Sequence, residues 1–201
     1  QMRIGIFGGT FDPIHNGHLL LAEQCREQAA LDEVWLIPAG SPPHKETTGI
    51  TAGKQRREML EFAIAGNPSF VIQDLELHRD GPSYTVDTLQ QLKESHPSDD
   101  FFLIIGADSV RDFHTWREPE AILEQALLIG VNRPNISLPD LSNLTDKLGD
   151  TVITKISWVT MPGIDLSSTD IRQRIRENKS VRYMTPRAVE VYIHNNRLYL
   201  D

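Results

Sequence analysis

At 201 residues the chain has the length of one ordinary domain, and 39% apolar with 24% charged residues excludes collagen-like, low-complexity and wholly disordered chains. Twenty Lys and Arg against 28 Asp and Glu leave a net charge of -8, which opposes a nucleic-acid-binding module and requires any anionic ligand to be held by local positive groups. The single cysteine, Cys25, rules out an internal disulfide and a Cys-rich zinc site.

Arg3 to Phe7 is a short β-prone run closed by Gly8-Gly9. Leu19 to Ala30 follows with helical composition, the helix beginning near Gly17 or His18. Glu33 to Pro38 reads as a second strand, Gln55 to Ala65 as a helix stopped by Gly66-Asn67-Pro68, and Phe70 to Gln73 as a third strand. Thr85 to Ser95 suits a helix with Pro97 beyond it, Phe101 to Ile105 a fully buried strand, and Ala126 to Val131 another. Asn132 to Thr151 turns polar, a surface excursion in which Leu138, Leu141, Leu144 and Leu148 are spaced to line a short helix. Ile156 to Val159 is a last strand, and Asp170 to Glu177 and Arg187 to Ile193 are closing helices. Strands alternating with helices predict an α/β fold: an open parallel sheet with helices on both faces. A short helical C-terminal extension, about 165–201, packs within the same single domain, 1–201.

Residues 2–7 are too short for the apolar region of a signal peptide, and no apolar run approaches the ~20 residues of a membrane span. With one cysteine, this predicts a cytoplasmic protein. The sequons at Asn135, Asn143 and Asn178 then read as chance.

The densest chemistry is Gly8-Gly9-Thr10-Phe11-Asp12-Pro13-Ile14-His15-Asn16-Gly17-His18, between the first strand and the first helix. In an open parallel sheet, ligands bind in this kind of loop. Two glycines admit a ligand close to the backbone, a helix start offers N–H groups and a positive dipole end, and two imidazoles stand beside it, together an anion pocket of phosphate size. Two histidines three apart can also share a metal, but no Cys or nearby His-carboxylate partner completes a zinc site. Gly5 to Gly9 lacks the G-x-G-x-x-G spacing of a dinucleotide fold, and Gly49 to Gln55 misses a P-loop by one residue and by Gln55 in place of Ser or Thr.

The run Gly9 to His18 resembles the HxGH signature of the nucleotidyltransferase superfamily, with both histidines in place. Pro43-His44-Lys45, Ser83-Tyr84-Thr85, Gly106-Ala107-Asp108-Ser109, Trp116 and Leu166-Ser167-Ser168-Thr169-Asp170-Ile171-Arg172 extend the resemblance in order over nearly the whole chain. The branch most similar to it is the bacterial nicotinate-mononucleotide adenylyltransferase family. The phosphopantetheine adenylyltransferases typically carry Thr where this chain has His15. Leu166 replaces a frequent Ile, and Arg117 departs from the residue types common after the tryptophan.

This resemblance implies a Rossmann-like fold and adenylyl transfer from ATP to nicotinate mononucleotide, giving nicotinate adenine dinucleotide and pyrophosphate in NAD biosynthesis. It implies catalytic roles for His15, His18, Lys45 and Arg172. ATP would be bound by Gly8, Gly9, Thr10, Phe11, His15, His18, Gly106, Asp108, Ser167, Ser168, Thr169 and Arg172. The acceptor would meet Lys45, Thr85, Trp116 and Arg117. Mg2+ would arrive on the ATP phosphates, with Asp108 reaching it through water. Read without the family, Lys45 is equally a solvated lysine, Trp116 has the core packing of most tryptophans as its alternative, and Asp108 a bare helix cap. The partners are small molecules, leaving open a homo-oligomer. The alternatives are another phosphate acceptor, phosphopantetheine or nicotinamide mononucleotide, and a non-catalytic ATP sensor on the same fold.

Overall fold

The structure is a computed structural model that describes residues 1–40 and 49–201. Its strands are β1 (Arg3–Gly9), β2 (Glu33–Pro38), β3 (Phe70–Ile72), β4 (Asp100–Gly106), β5 (Ala126–Asn132) and β6 (Ile156–Thr160). Its helices are α1 (Asn16–Gln28), α2 (Gly53–Ile64), α3 (Thr85–Ser95), α4 (Ala107–Arg111), α5 (Pro119–Gln125), α6 (Ser142–Leu148), α7 (Ser168–Arg176) and α8 (Arg187–Asn195).

The strands form one sheet in the order β3-β2-β1-β4-β5-β6, the doubly wound order in which ligands bind at the carboxyl ends of the strands where the order reverses. β1 pairs parallel with β4, Ile4 opposite Phe101 and Ile6 opposite Leu103, and β4 to β5 and β5 to β6 are parallel as well. The α/β parallel-sheet expectation holds.

Packing divides the chain into two compact units: residues 1–7, 21–35 and 83–163, and residues 8–20, 36–82 and 164–201. In the first, Ile4, Ile6, Phe101 to Ile104, Leu128 and Ile129 are buried, as the unbroken apolar runs of a doubly covered sheet require. Each such side chain contributes about 1.5–3 kcal/mol by leaving water. In the second, Met59 and Leu60 of α2 and Val189 and Ile193 of α8 are buried where these helices pack together. Among the described residues no helix is long and apolar enough to cross a membrane.

Several boundaries differ from the sequence expectation for local reasons. The first helix runs 16–28 rather than 19–30, because Ala30 turns left-handed (φ 50°) and the Leu31 N–H closes on the Arg26 carbonyl at 2.9 Å. The stretch 107–125, which carries too short an apolar pattern to read, holds α4 and α5, the latter opened by Pro119 at its first position. In the excursion after β5 only Leu144 of the four spaced leucines is fully buried, and the helix shrinks to α6 around it. The closing helix α7 starts two residues earlier than read, at Ser168, because the Ser167 hydroxyl caps it by accepting from the Asp170 N–H at 3.0 Å.

Candidate functional site

The carboxyl end of β1 delivers residues 8–18 into the second unit, where the histidines build their own support. The His15 N–H donates to His18 Nδ1 and the His18 N–H donates to His15 Nδ1, both at 3.2 Å. His15 stands just before the first residue of α1 and His18 three residues on, so the pair is a reciprocal capping box made from imidazoles. The rings stack at 3.6 Å with 17° between their planes. Gly17 leaves room for that stack, since a Cβ there would lie 3.0 Å from two atoms of the His15 ring and press on it. Each Nδ1 accepts a hydrogen bond and carries no proton, which makes Nε2–H the donor on both rings.

Burial holds both rings neutral. Desolvation lowers the His15 pKa from 6.5 to about 4, and desolvation followed by proximity to His15 lowers that of His18 to about 3. The unfolded chain, with ordinary histidines, takes up protons below pH 6.5 that the folded chain refuses until about pH 4 and pH 3. Stability from this pair is therefore present above pH 6.5 and lost as pH falls through that window. Between pH 7 and pH 5 the urea unfolding free energy of the free protein should drop by about 3–4 kcal/mol more than that of a His15→Asn/His18→Asn variant, about half of it from each ring. Parallel profiles for the two proteins would refute the neutral pair.

The backbone leading to His15 is held by side chains from distant segments. Arg56 of α2 donates Nη1 to the Thr10 carbonyl at 2.8 Å, and Arg172 of α7 donates Nη1 to the Asp12 carbonyl at 2.7 Å. The Ser168 hydroxyl donates to the Pro13 carbonyl at 2.8 Å and the Thr185 hydroxyl to the Ile14 carbonyl at 2.7 Å. Asn16 bonds through its main-chain N–H to Met184 O at 2.9 Å and through its amide to Tyr183 O at 2.7 Å. Phe11, 2% exposed at a left-handed φ of 49°, packs edge-on against the His18 ring at 5.1 Å. Gly8 is exposed, and Gly9 and Thr10 are half-buried.

The second unit thus brings together Gly8, Gly9, Thr10, Phe11, His15, His18, Ser168, Thr169 and Arg172, with Ser167 as the helix cap. Arg172 Nη2 also donates to Thr169 Oγ1 at 3.3 Å. Because the Ser168 hydroxyl hydrogen is committed to Pro13, any anion at α7 meets the Ser168 and Thr169 N–H groups, which have no acceptor within the helix. Lys45 lies outside the described residues, as do Pro43 and His44.

The first unit carries the remaining sequence candidates. Gly106 closes β4, and Asp108 in α4 has an exposed carboxylate 3.3 Å from Arg111 Nη1. Thr85 opens α3 after Tyr84, and the Arg117 guanidinium lies 4.4 Å over the Tyr84 ring. Ser83, in the same segment, is buried with a hydroxyl that has no hydrogen-bond partner among the described residues. Trp116 is half-buried, its ring tilted on Phe113 at 5.3 Å. Cys25 of α1 is fully buried core, and burial pushes its thiol up to about 12. No group of three or more His, Cys, Asp or Glu placed to hold a metal occurs among the described residues.

Sequence reasoning passed over Arg56 and Tyr199, which are tied to the loop through side chains, and gave Asp12 within the loop no role of its own. Arg56 had a readable signal, because Met59 and Leu60 follow at i+3 and i+4 and place it on the buried face of α2.

A family profile described as cytidylyltransferase-like matches residues 6–174. A protein of Bacillus pumilus named "Probable nicotinate-nucleotide adenylyltransferase" is 44% identical over 197 residues, 98% of this chain and 98% of that protein. A protein of the same name from Thermus thermophilus is 45% identical over 198 residues, 98% of this chain and all of the other. Among solved structures, Plasmodium falciparum nicotinic acid mononucleotide adenylyltransferase complexed with NaAD aligns with a TM-score of 0.78 at 21% identity, covering 99% of this chain and 98% of that one. At that identity the likeness concerns the fold.

Proposed function

We propose, from the premise that this chain belongs to the cytidylyltransferase-like family and within it to the nicotinate-nucleotide adenylyltransferases, that it transfers the adenylyl group of ATP to nicotinate mononucleotide. The products are nicotinate adenine dinucleotide and pyrophosphate, a step of NAD biosynthesis that we place in the cytoplasm. Residues 1–201 act as one nucleotidyltransferase domain. The observation that carries this reading is the reciprocal His15/His18 pair at the start of α1, two locked Nε2–H donors at a helix N-terminus.

An oxygen of the mononucleotide's phosphate attacks the α-phosphorus while the bond from that phosphorus to the bridging oxygen breaks and pyrophosphate departs. The attacking phosphate is already an anion near pH 7, so no base has to remove a proton. Catalysis reduces to alignment and to stabilising charge on the α-phosphate and the leaving group. His18 Nε2–H serves the α-phosphate and the developing charge, and His15 the triphosphate beside it. Gly8, Gly9, Thr10 and Phe11 shape the loop around ATP. The N-terminus of α7, with Ser167, Ser168, Thr169 and Arg172, takes the β- and γ-phosphates. Lys45 adds a mobile positive charge for phosphate.

Magnesium would arrive on the ATP phosphates, with the exposed carboxylate of Asp108, in the first turn of α4 after Gly106, reaching it through water. When bound, the ion neutralises triphosphate charge. Trp116 stacks on the pyridine ring, and Thr85 with the neighbouring N–H groups receives the nicotinate carboxylate. Arg117, held over Tyr84 beside Thr85, adds the positive charge that a neutral amide does not use.

Pyrophosphate release measured with nicotinate mononucleotide, nicotinamide mononucleotide and phosphopantetheine side by side tests the reading. The acid should be used with kcat/KM at least about 10²-fold above the other two, since the site's charged groups are left unmatched by them. Faster release with phosphopantetheine, or none with any acceptor, would overturn it.

A further inference from the structure

The hydrogen bonds around the histidine loop converge on a group that the reaction itself does not use. Asp12 is 3% exposed, and its carboxylate sits three residues before His15. Oδ2 accepts the Thr51 N–H at 3.0 Å, and Oδ1 accepts the hydroxyl of Tyr199, two residues from the end of the sequence. The Arg56 guanidinium beside this carboxylate is itself 2% exposed and bonds the Thr51 carbonyl through Nε at 2.8 Å as well as the Thr10 carbonyl. One buried carboxylate therefore joins the loop, the lead into α2 and the C-terminal tail.

The tail is shaped to make this bond. After α8, the Leu198 N–H closes on the Ile193 carbonyl at 3.0 Å with Arg197 left-handed, an ordinary helix stop. Tyr199 is then left-handed again at φ 64°, a conformation costly for a residue with a bulky Cβ substituent and retained only where the surroundings over-determine it. The half-buried phenol is held well above its ordinary pKa by desolvation and by the Asp12 carboxylate, so it stays a donor throughout the neutral range.

We infer that Tyr199 is a positioning residue: by donating to Asp12 it fixes the backbone that carries His15 and His18, making the segment after α8 part of the support of the catalytic loop. Removing the hydroxyl leaves a buried carboxylate oxygen without its donor, and the carboxylate and its loop shift towards Thr51. Transition-state donors tolerate about 0.5 Å of displacement, so the effect falls on turnover.

The kinetic arm of the test rests on the adenylyl-transfer reading, and a second arm needs no substrate. Tyr199→Phe is compared with wild type and with Tyr192→Phe, a control that removes a half-buried phenol bonded instead to Glu58. In Tyr199→Phe, kcat should fall about ten-fold with KM for both substrates within about two-fold, while Tyr192→Phe keeps wild-type turnover. In the free proteins, the ring 15N resonances of His15 and His18 should shift in Tyr199→Phe and stay in place in Tyr192→Phe. Unchanged ring resonances, or unchanged kcat in an enzyme whose wild type turns over, overturn the inference, and so does a lowered Tm unaccompanied by either change. A wild type that releases no pyrophosphate but whose rings shift in Tyr199→Phe would sink the adenylyl-transfer reading and leave the positioning role standing.

Discussion

Replacing His18 with alanine is expected to cut kcat by on the order of 10² or more, the loss seen when a preorganised transition-state donor is removed. The structure separates this effect from a stability effect that the same change produces. His18 Nδ1 accepts the His15 N–H, so alanine also opens the capping box at the start of α1, a loss of about 1 kcal/mol and about 2–4 °C in Tm for a chain of this size. His18→Asn supplies a short side-chain acceptor for the same N–H without an Nε2–H. It should recover most of the Tm loss and little of the kcat loss. Steady-state kinetics at 25 °C with calorimetry on both variants checks the pair of outcomes, and near-normal kcat in either would remove His18 from the mechanism.

Arg56→Ala is expected to be the most destabilising single change around the site, by about 3–5 kcal/mol, because it strips a buried carboxylate of its nearby cation and leaves two part-buried carbonyls without donors. The guanidinium meets the Thr51 and Thr10 carbonyls at 2.8 Å each, a forked arrangement that a lysine cannot reproduce. Arg56→Lys should therefore recover only part of the loss. Urea denaturation in the absence of substrate measures both, and a loss under about 1 kcal/mol for the alanine variant would show that the carboxylate does not depend on Arg56. Arg56 bonds the backbone of the loop rather than the histidine rings, so the folded fraction of Arg56→Ala should keep measurable turnover.

These two changes mark how far the site could be read from the chain. The place of His15 and His18 at a strand-to-helix junction follows from neighbours within a dozen positions, and the glycines, the helix start and the imidazoles all pointed to an anion. That the histidines cap the helix reciprocally was not read, although the i, i+3 spacing of a capping box was in view, because imidazoles are not the usual capping side chains. The Ser167 cap is a local feature, a hydroxyl just before a helix, whereas the commitment of Ser168 to the Pro13 carbonyl is not, since its partner lies 155 positions away.

By itself the sequence determined the alternation of strands and helices, hence the parallel sheet, and the loop where the chemistry sits. Those features rest on periodicity, capping and turn residues that act over a few positions. Only the tertiary structure decided which nitrogen of each imidazole carries the proton, that Asp12 is a buried node, and that Tyr199 reaches it across 187 positions. The physical reason is that burial and long-range hydrogen bonds belong to the packed backbone: no local pattern marks a tyrosine near the end of a chain as the donor to a carboxylate near its beginning.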